Sequence, residues 1–196
     1  MGAVDRYTGE LSLARARLVN ELREHALVIG QVTLTSGAVA EYYVDAKRAI
    51  LRPDGFAALA ALLAGQVAEW GATAVGGMTM GADPVACAAL AGGAQAKAFF
   101  VRKDAKAHGL QRRIEGPLLV PEDRCVVVED VVTTGGSTLA AIAALQEAGH
   151  QICGVVSVLD RLAGGGAAIE RAAGAPYVAL STIDEVYPQR PDRQPR

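Results

Sequence analysis

VVVEDVVTTGGST, running from Val126 to Thr138, leads from three valines through two adjacent acids into a stretch of threonines, glycines and a serine with little bulk. The valines form the end of a buried strand, because β-branched side chains favour a pleated, enclosed surface. The loop leads into STLAAIAALQEAGH, whose apolar spacing predicts a helix. A parallel α/β sheet binds ligands beyond the carboxyl ends of its strands, which is where Glu129 and Asp130 stand. Backbone N–H groups of such a loop, with the open end of the following helix, suit an anion. Gly135 and Gly136 let the backbone come close, and the Thr and Ser hydroxyls add donors. Two carboxylates would repel a bare phosphate, but they accept hydrogen bonds from a vicinal diol. A ribose 5-phosphate satisfies both halves of the stretch. Neither GxxxxGK[ST] nor GxGxxG occurs here. The plain alternative is a βα turn with a serine N-cap and two solvated acids.

Working outward, LSLARARLVNELREHAL (Leu11 to Leu27) predicts an amphipathic helix. Short extended pieces follow at Gln31–Leu34 and Glu41–Asp45, with SGAVA as the turn between them. Pro53 opens a helix through FAALAALLAGQVAEW, and ATAVGG reads as a strand. Asp83 and Pro84 suit the N-cap and first residue of a helix over Val85–Leu90. AKAFFVR, CVVVED, ICGVVSVLD and YVALS are further strands, and RLAGGGAA looks mobile. Strands and helices alternate from about residue 51 to about 181, the pattern of an open, mostly parallel sheet flanked by helices. No internal repeat is visible. YPQRPDRQPR holds little to bury and reads as a flexible tail.

Composition bounds the function. A chain of 196 residues that is 51% hydrophobic suits one domain, burying roughly 70% of its unfolded surface without staples or metals. The formal net charge of −2 argues against nucleic acid or a membrane surface as partner, since both call for a basic excess. Cys87, Cys125 and Cys153 lie in apolar runs without a CxxC pair, so they read as reduced thiols. His25, His108 and His150 do not share zinc spacing with them. The first ten residues lack the apolar core of a signal peptide, and no run approaches the ~20 residues needed to span a bilayer. The expected compartment is the cytoplasm.

With these residues in view, VVVEDVVTTGGST resembles the PRPP-binding signature of type I phosphoribosyltransferases, in matching order along the whole motif. The resemblance implies that fold, with a small hood subdomain. It implies that Glu129 and Asp130 hold the ribose hydroxyls. Val131, Val132, Thr133, Thr134, Gly135, Gly136 and Ser137 would then cup the 5-phosphate. A second feature narrows the base. FVRKDAKAHGLQRRIEG sets five cations, Arg102, Lys103, Lys106, Arg112 and Arg113, against Asp104 and Glu115. Most charge runs are solvated loops, but this one follows a strand end on the edge that carries the acids. A departing pyrophosphate needs such cations.

The pattern RK-xx-K-x-HG-xxxx-IEG is similar to the catalytic loop of orotate phosphoribosyltransferases. That likeness implies Arg102, Lys103, Lys106 and His108 as pyrophosphate contacts, with Lys106, Arg102 and His108 catalytic and Gly109 easing loop movement. It also implies a homodimer in which Arg102, Lys106 and His108 serve the neighbouring subunit and Lys103 its own. Thr33 to Lys47 resembles the family's hood segment, and GGMTMGADPVA its glycine-rich pyrophosphate loop. Thr133 and Arg161 match the orotate-binding positions, although a strand-end surface arginine is the plain reading of Arg161. The domain division expected is 1–50 for N-terminal helix and hood, 51–186 for the PRPP-binding core and 187–196 for the tail. Mg²⁺ is the implied cofactor, held mainly by substrate and water rather than by a protein metal site. Thr35 and Met80 replace lysines found in many members, which leaves charge compensation to Mg²⁺, to Arg102, Lys103 and Lys106, or to Lys47. The implied reaction joins orotate and PRPP to give orotidine 5′-monophosphate and pyrophosphate. A purine-type transferase and a non-enzymatic PRPP- or nucleotide-sensing regulator are the alternatives on the same fold.

Overall fold

The computed structural model describes residues 3–33, 39–103 and 113–193. Helix α1 (Ala3–Glu21) runs into a π-helical turn over Leu22–Ala26. The helix expected to reach Leu27 stops short of it, because Leu27 is already extended and opens β1 (Leu27–Thr33). Strand β1 pairs antiparallel with β2 (Val39–Val44) in a separate two-stranded sheet, where the predicted extended pieces lie. A short α2 (Lys47–Ile50) links this ribbon to α3 (Pro53–Glu69). Pro53 stands in the first turn of α3, where its missing N–H leaves no hydrogen bond unmade.

The remaining elements are β3 (Ala74–Met78), α4 (Ala82–Ala91), β4 (Lys97–Val101), β5 (Ile114–Glu115), β6 (Arg124–Val132), α5 (Gly136–Glu147), β7 (Gln151–Asp160), α6 (Gly165–Ala173), β8 (Tyr177–Thr182) and α7 (Ile183–Val186). They build a six-stranded sheet in the order β5-β4-β3-β6-β7-β8. All neighbours are parallel except the edge strand β5, which runs antiparallel to β4. The chain leaves β3 outward through β4 and returns to β3's other side as β6. Beside each other, β3 and β6 therefore form the topological switch point, where open α/β sheets carry their ligands.

Strand β6 shows why the sheet forms. Val126 and Val128 belong to the core layer with Leu18, Leu59 and Leu63, while Cys125 and Val127 face the opposite layer with Phe99, Ile142 and Leu145. Both faces are covered, so the strand reads as an unbroken apolar run. Asp83 does not cap α4, which begins at Ala82; its carboxylate instead accepts the Thr79 hydroxyl at 2.7 Å. The glycines of RLAGGGAA enter the first turn of α6 rather than a mobile loop.

The C-terminal segment, read from the sequence as having little to bury, does pack. Tyr187 meets Tyr42 edge-on with ring centroids 5.4 Å apart. Arg190, its side chain 9% exposed, pairs with Asp184 at 2.9 Å and Asp192 at 3.0 Å. Its proline and charge content hid these contacts, and Tyr42, the partner of Tyr187, lies far away in the chain. Among the described residues no helix is long and apolar enough to cross a membrane.

At the opposite end of the sheet from the switch point, Asp123 ties three elements together. It accepts the Thr73 hydroxyl at 2.8 Å, the Lys97 ammonium at 2.7 Å and the Val120 N–H at 2.7 Å. Burial alone would raise its pKa, but these donors hold the carboxyl below its ordinary value. A depressed acid stabilises the fold above its unfolded pKa and loses that effect as pH falls through the folded one. Asp123→Ala should therefore lower stability at pH 7 by about 2–3 kcal/mol. In urea denaturation that deficit should shrink as pH falls below the ordinary carboxyl value of 3.8.

Candidate functional site

The buried valines of β6 carry the strand to the rim of the sheet, where Glu129 and Asp130 emerge only 5% and 8% exposed. Each is pinned by its own backbone. The Asp130 N–H donates to Glu129 Oε1 at 3.3 Å, and the Val131 N–H donates to Asp130 Oδ1 at 2.8 Å. Thr138, in the first turn of α5, donates its hydroxyl to Glu129 Oε2 at 3.2 Å. Burial, and then the neighbouring Asp130 charge, push the Glu129 pKa up to about 8. The Lys47 ammonium lies 2.8 Å from Asp130 Oδ2. Burial works against the charge on Lys47, yet Asp130 and Asp45 together raise its pKa above the ordinary lysine value. The pair is thus far from two bare carboxylates.

The loop after β3 closes over the acids. A Cβ on Gly81 would stand 2.5 Å from Asp130 Oδ1 and 3.0 Å from Glu129 Oε1, so only glycine allows this approach without a shift. The Thr79–Met80 peptide in the same loop is cis.

Beyond the acids, Val131 and Thr133 to Thr138 line, with Glu129, a cavity of about 230 Å³. Gly135 takes the left-handed conformation at φ 83° and caps α5, whose first residue is Gly136 rather than Ser137. The first four N–H groups of a helix have no intrahelical partner, so this cup presents donors and a favourable dipole to an anion. Its outer wall is fastened to the next connection: the Arg161 N–H donates to Val132 O at 2.8 Å and the Gly165 N–H to Thr133 O at 3.2 Å.

A second cavity, of about 210 Å³, shares Val131 and Thr133 with the first. Tyr43, Val44, Lys47, Asp130 and Arg161 complete it. The Arg161 guanidinium lies 4.9 Å from the centre of the Tyr42 ring, a cation–π distance. The Tyr42 hydroxyl in turn donates to Asp192 at 3.1 Å. A third cleft, about 430 Å³, is lined by Thr79, Phe100, Arg102, Lys103 and Glu115. Arg102 reaches Glu115 at 3.6 Å there.

The structure thus gathers Glu129, Val131, Thr133, Thr134, Gly135, Gly136 and Ser137 around one cup and brings Asp130, Thr133 and Arg161 to the adjoining cavity. Val132 differs in kind: its side chain is 1% exposed in the core, so it meets the site through its backbone alone. Arg102 and Lys103 line the third cleft; Lys106, His108, Gly109 and Thr35 lie outside the described residues. Sequence reasoning missed Tyr42, Tyr43 and Gly81, and left Lys47 without a location. Among the described residues no three His, Cys, Asp or Glu side chains cluster to hold a metal. An ion that takes most of its ligands from substrate and water, as Mg²⁺ does, needs no such cluster.

No family model matches the chain. It is 48% identical over 174 residues to the orotate phosphoribosyltransferase of Corynebacterium glutamicum strain R, covering 88% of this chain and 94% of that protein. Mycobacterium tuberculosis H37Rv orotate phosphoribosyltransferase in complex with Fe(III) dicitrate superposes with a TM-score of 0.79 at 43% identity, over 89% of this chain and 99% of that one. The same enzyme in complex with PRPP superposes with a TM-score of 0.75 at 38% identity, over 88% and 98%.

A raised Glu129 pKa makes a definite demand on stability. The contribution of the protonated acid is complete below the unfolded value of 4.5 and is lost as pH rises through about 8. Glu129→Gln, which cannot ionise, should therefore gain on the wild type between pH 5 and pH 8. The gain should be roughly 1–3 kcal/mol, each pKa unit being worth about 1.4 kcal/mol. Paired denaturant titrations at the two pH values check it.

Proposed function

The chain belongs to the orotate phosphoribosyltransferase family, and on that premise we propose how its own residues carry the reaction. Ribose 5-phosphate passes from PRPP to orotate, giving orotidine 5′-monophosphate and pyrophosphate in pyrimidine synthesis. The observation that carries the assignment of roles is the buried acid pair at the switch point, Glu129 lining the Thr/Gly/Ser cup and Asp130 the adjoining cavity.

Thr133 to Ser137 and the start of α5 hold the 5-phosphate, with Val131 and Val132 shaping the cup. Glu129 and Asp130 meet the ribose hydroxyls. With Glu129 inclined to keep its proton and Asp130 paired to Lys47, the diol meets one donor and one acceptor. Thr133 and the Arg161 guanidinium orient orotate, whose carboxylate matches the arginine fork. As the bond between ribose C1 and the pyrophosphate oxygen breaks, its electron pair leaves with pyrophosphate. Orotate N1 gives up its proton, which balances on the departing pyrophosphate, and supplies the pair that forms the new bond to C1. Arg102, Lys103, Lys106 and His108 stabilise the departing charge; positioning and electrostatics do the catalytic work. Mg²⁺ would be held mainly by substrate oxygens and water, and would supply neutralisation of negative charge there.

We further assign the chain to the cytoplasm and to a homodimer in which Arg102, Lys106 and His108 cross to the neighbour's site. The 1–50 segment acts as helix and hood, and 51–186 as the PRPP-binding core.

The absorbance of orotate should fall only when enzyme, PRPP and Mg²⁺ are all present, and should recover with orotidine monophosphate and pyrophosphate. Lys106→Ala should lower the rate by about a hundredfold or more, the scale seen when one transition-state donor is removed. Orotate left untouched with all components present would sink the assignment. Sharing of the loop is tested by mixing inactive Lys106→Ala chains with inactive Asp130→Asn chains. Random exchange in a dimer should restore about a quarter of wild-type activity, and no recovery would rule the crossed loop out.

A further inference from the structure

Lys47 belongs to no stretch that binds phosphate, yet its ammonium meets the acid pair from across the fold. The residue begins α2, just past the β1–β2 ribbon, and its partner Asp130 lies 83 residues later on β6. Asp130 is gripped from two sides: Oδ1 takes the Val131 N–H at 2.8 Å, and Oδ2 takes the Lys47 ammonium at 2.8 Å. Asp45 braces the lysine in turn, its Oδ1 lying 3.2 Å from Nζ and accepting the Lys47 backbone N–H at 3.2 Å. The arrangement therefore fixes the rotation of the Asp130 carboxylate and sets a cation against it.

The position of the ammonium is not that of a strut hidden in the core. The Lys47 side chain is 37% exposed, against 11% for Asp130, and it lines the 210 Å³ cavity beside Arg161 and Thr133. Its free side thus opens on the space where Asp130 meets a ligand. A carboxylate next to a second, more deeply held carboxyl can turn away or take up a proton unless a cation holds it. Glu129 is that second carboxyl, and Asp130's own N–H is engaged with it.

We propose that Lys47 is a positioning residue for PRPP, holding Asp130 correctly turned as the acceptor of a ribose hydroxyl. This rests on the reading that the acid pair faces the ribose. Lys47 acts through Asp130, before the bond at C1 breaks. Its loss should fall on capture of PRPP, while the groups that stabilise the leaving pyrophosphate stay in place.

The test is steady-state kinetics on the full chain carrying Lys47→Met, Lys47→Arg, Asp130→Asn and the double change Lys47→Met/Asp130→Asn. Lys47→Met should raise the KM for PRPP by about tenfold, the scale of one charge-assisted hydrogen bond, with kcat little altered. Lys47→Arg should recover most of the loss. In the Asp130→Asn background Lys47→Met should add nothing, because the interaction is already gone. If Lys47→Met does not fold, Lys47→Gln is read in the same way. An unchanged PRPP KM in Lys47→Met, with a raised one in Asp130→Asn, overturns the role of Lys47 and spares the ribose reading. An unchanged KM in Asp130→Asn overturns both. Equal losses from Lys47→Met in the two backgrounds also overturn the proposal, since Lys47 would then act without Asp130.

Discussion

Two neighbouring carboxyl groups brought to the mouth of a buried strand are the constraint around which the site is organised. Left alone, Glu129 and Asp130 would pay twice, once for leaving water and once for each other's charge. The fold answers with different means for each. Glu129 sits against Asp130 and the Thr138 hydroxyl and is pushed towards its protonated form. Asp130 gains a lysine from α2, just past the β1–β2 ribbon. A phosphate can then lie within a few residues of two acids, because the acids face it with little net negative charge.

The sheet order makes this economical. Because β3 and β6 are adjacent while their connections leave in opposite directions, the loops after both strands converge on one crevice. Gly81 from the first presses on the acids of the second. The connection after β7 is stitched to the phosphate cup through Val132 and Thr133 carbonyls, so the cup and Arg161 form one rigid unit. Mechanical coupling of this kind keeps reacting groups within the narrow tolerance that catalysis by positioning requires.

The buried acids and the Thr/Gly/Ser cup were legible in the sequence because they are contiguous. Glu129 to Thr138 is one strand end, one loop and one helix start, so local chemistry and local geometry coincide. The parallel sheet was legible for a similar reason, since β3, β4, β6, β7 and β8 are apolar runs separated by helices. Legibility ended where partners are remote. Nothing near Lys47 announces Asp130, and nothing near Tyr42 announces Asp192, 150 residues away. The Asp83-Pro84 pair looked like a helix start, but Asp83 is spent on Thr79 and the helix begins a residue earlier. Strand β5 has two residues and is defined by its neighbour β4 rather than by any pattern of its own.

The clasp around Tyr42 bears on the order in which the site comes into being. Tyr42 is 3% exposed and supports the Arg161 guanidinium, while its hydroxyl depends on Asp192, which Arg190 steadies. Helix α1 is joined to the same end of the chain, Arg15 pairing with Glu185 at 2.7 Å. On a ribosome, which makes the chain from its N-terminus, the cup has all its residues once α5 has emerged. The wall beneath Arg161 must wait for Arg190 and Asp192, which are made later, so in a nascent chain the cup is complete before that wall is.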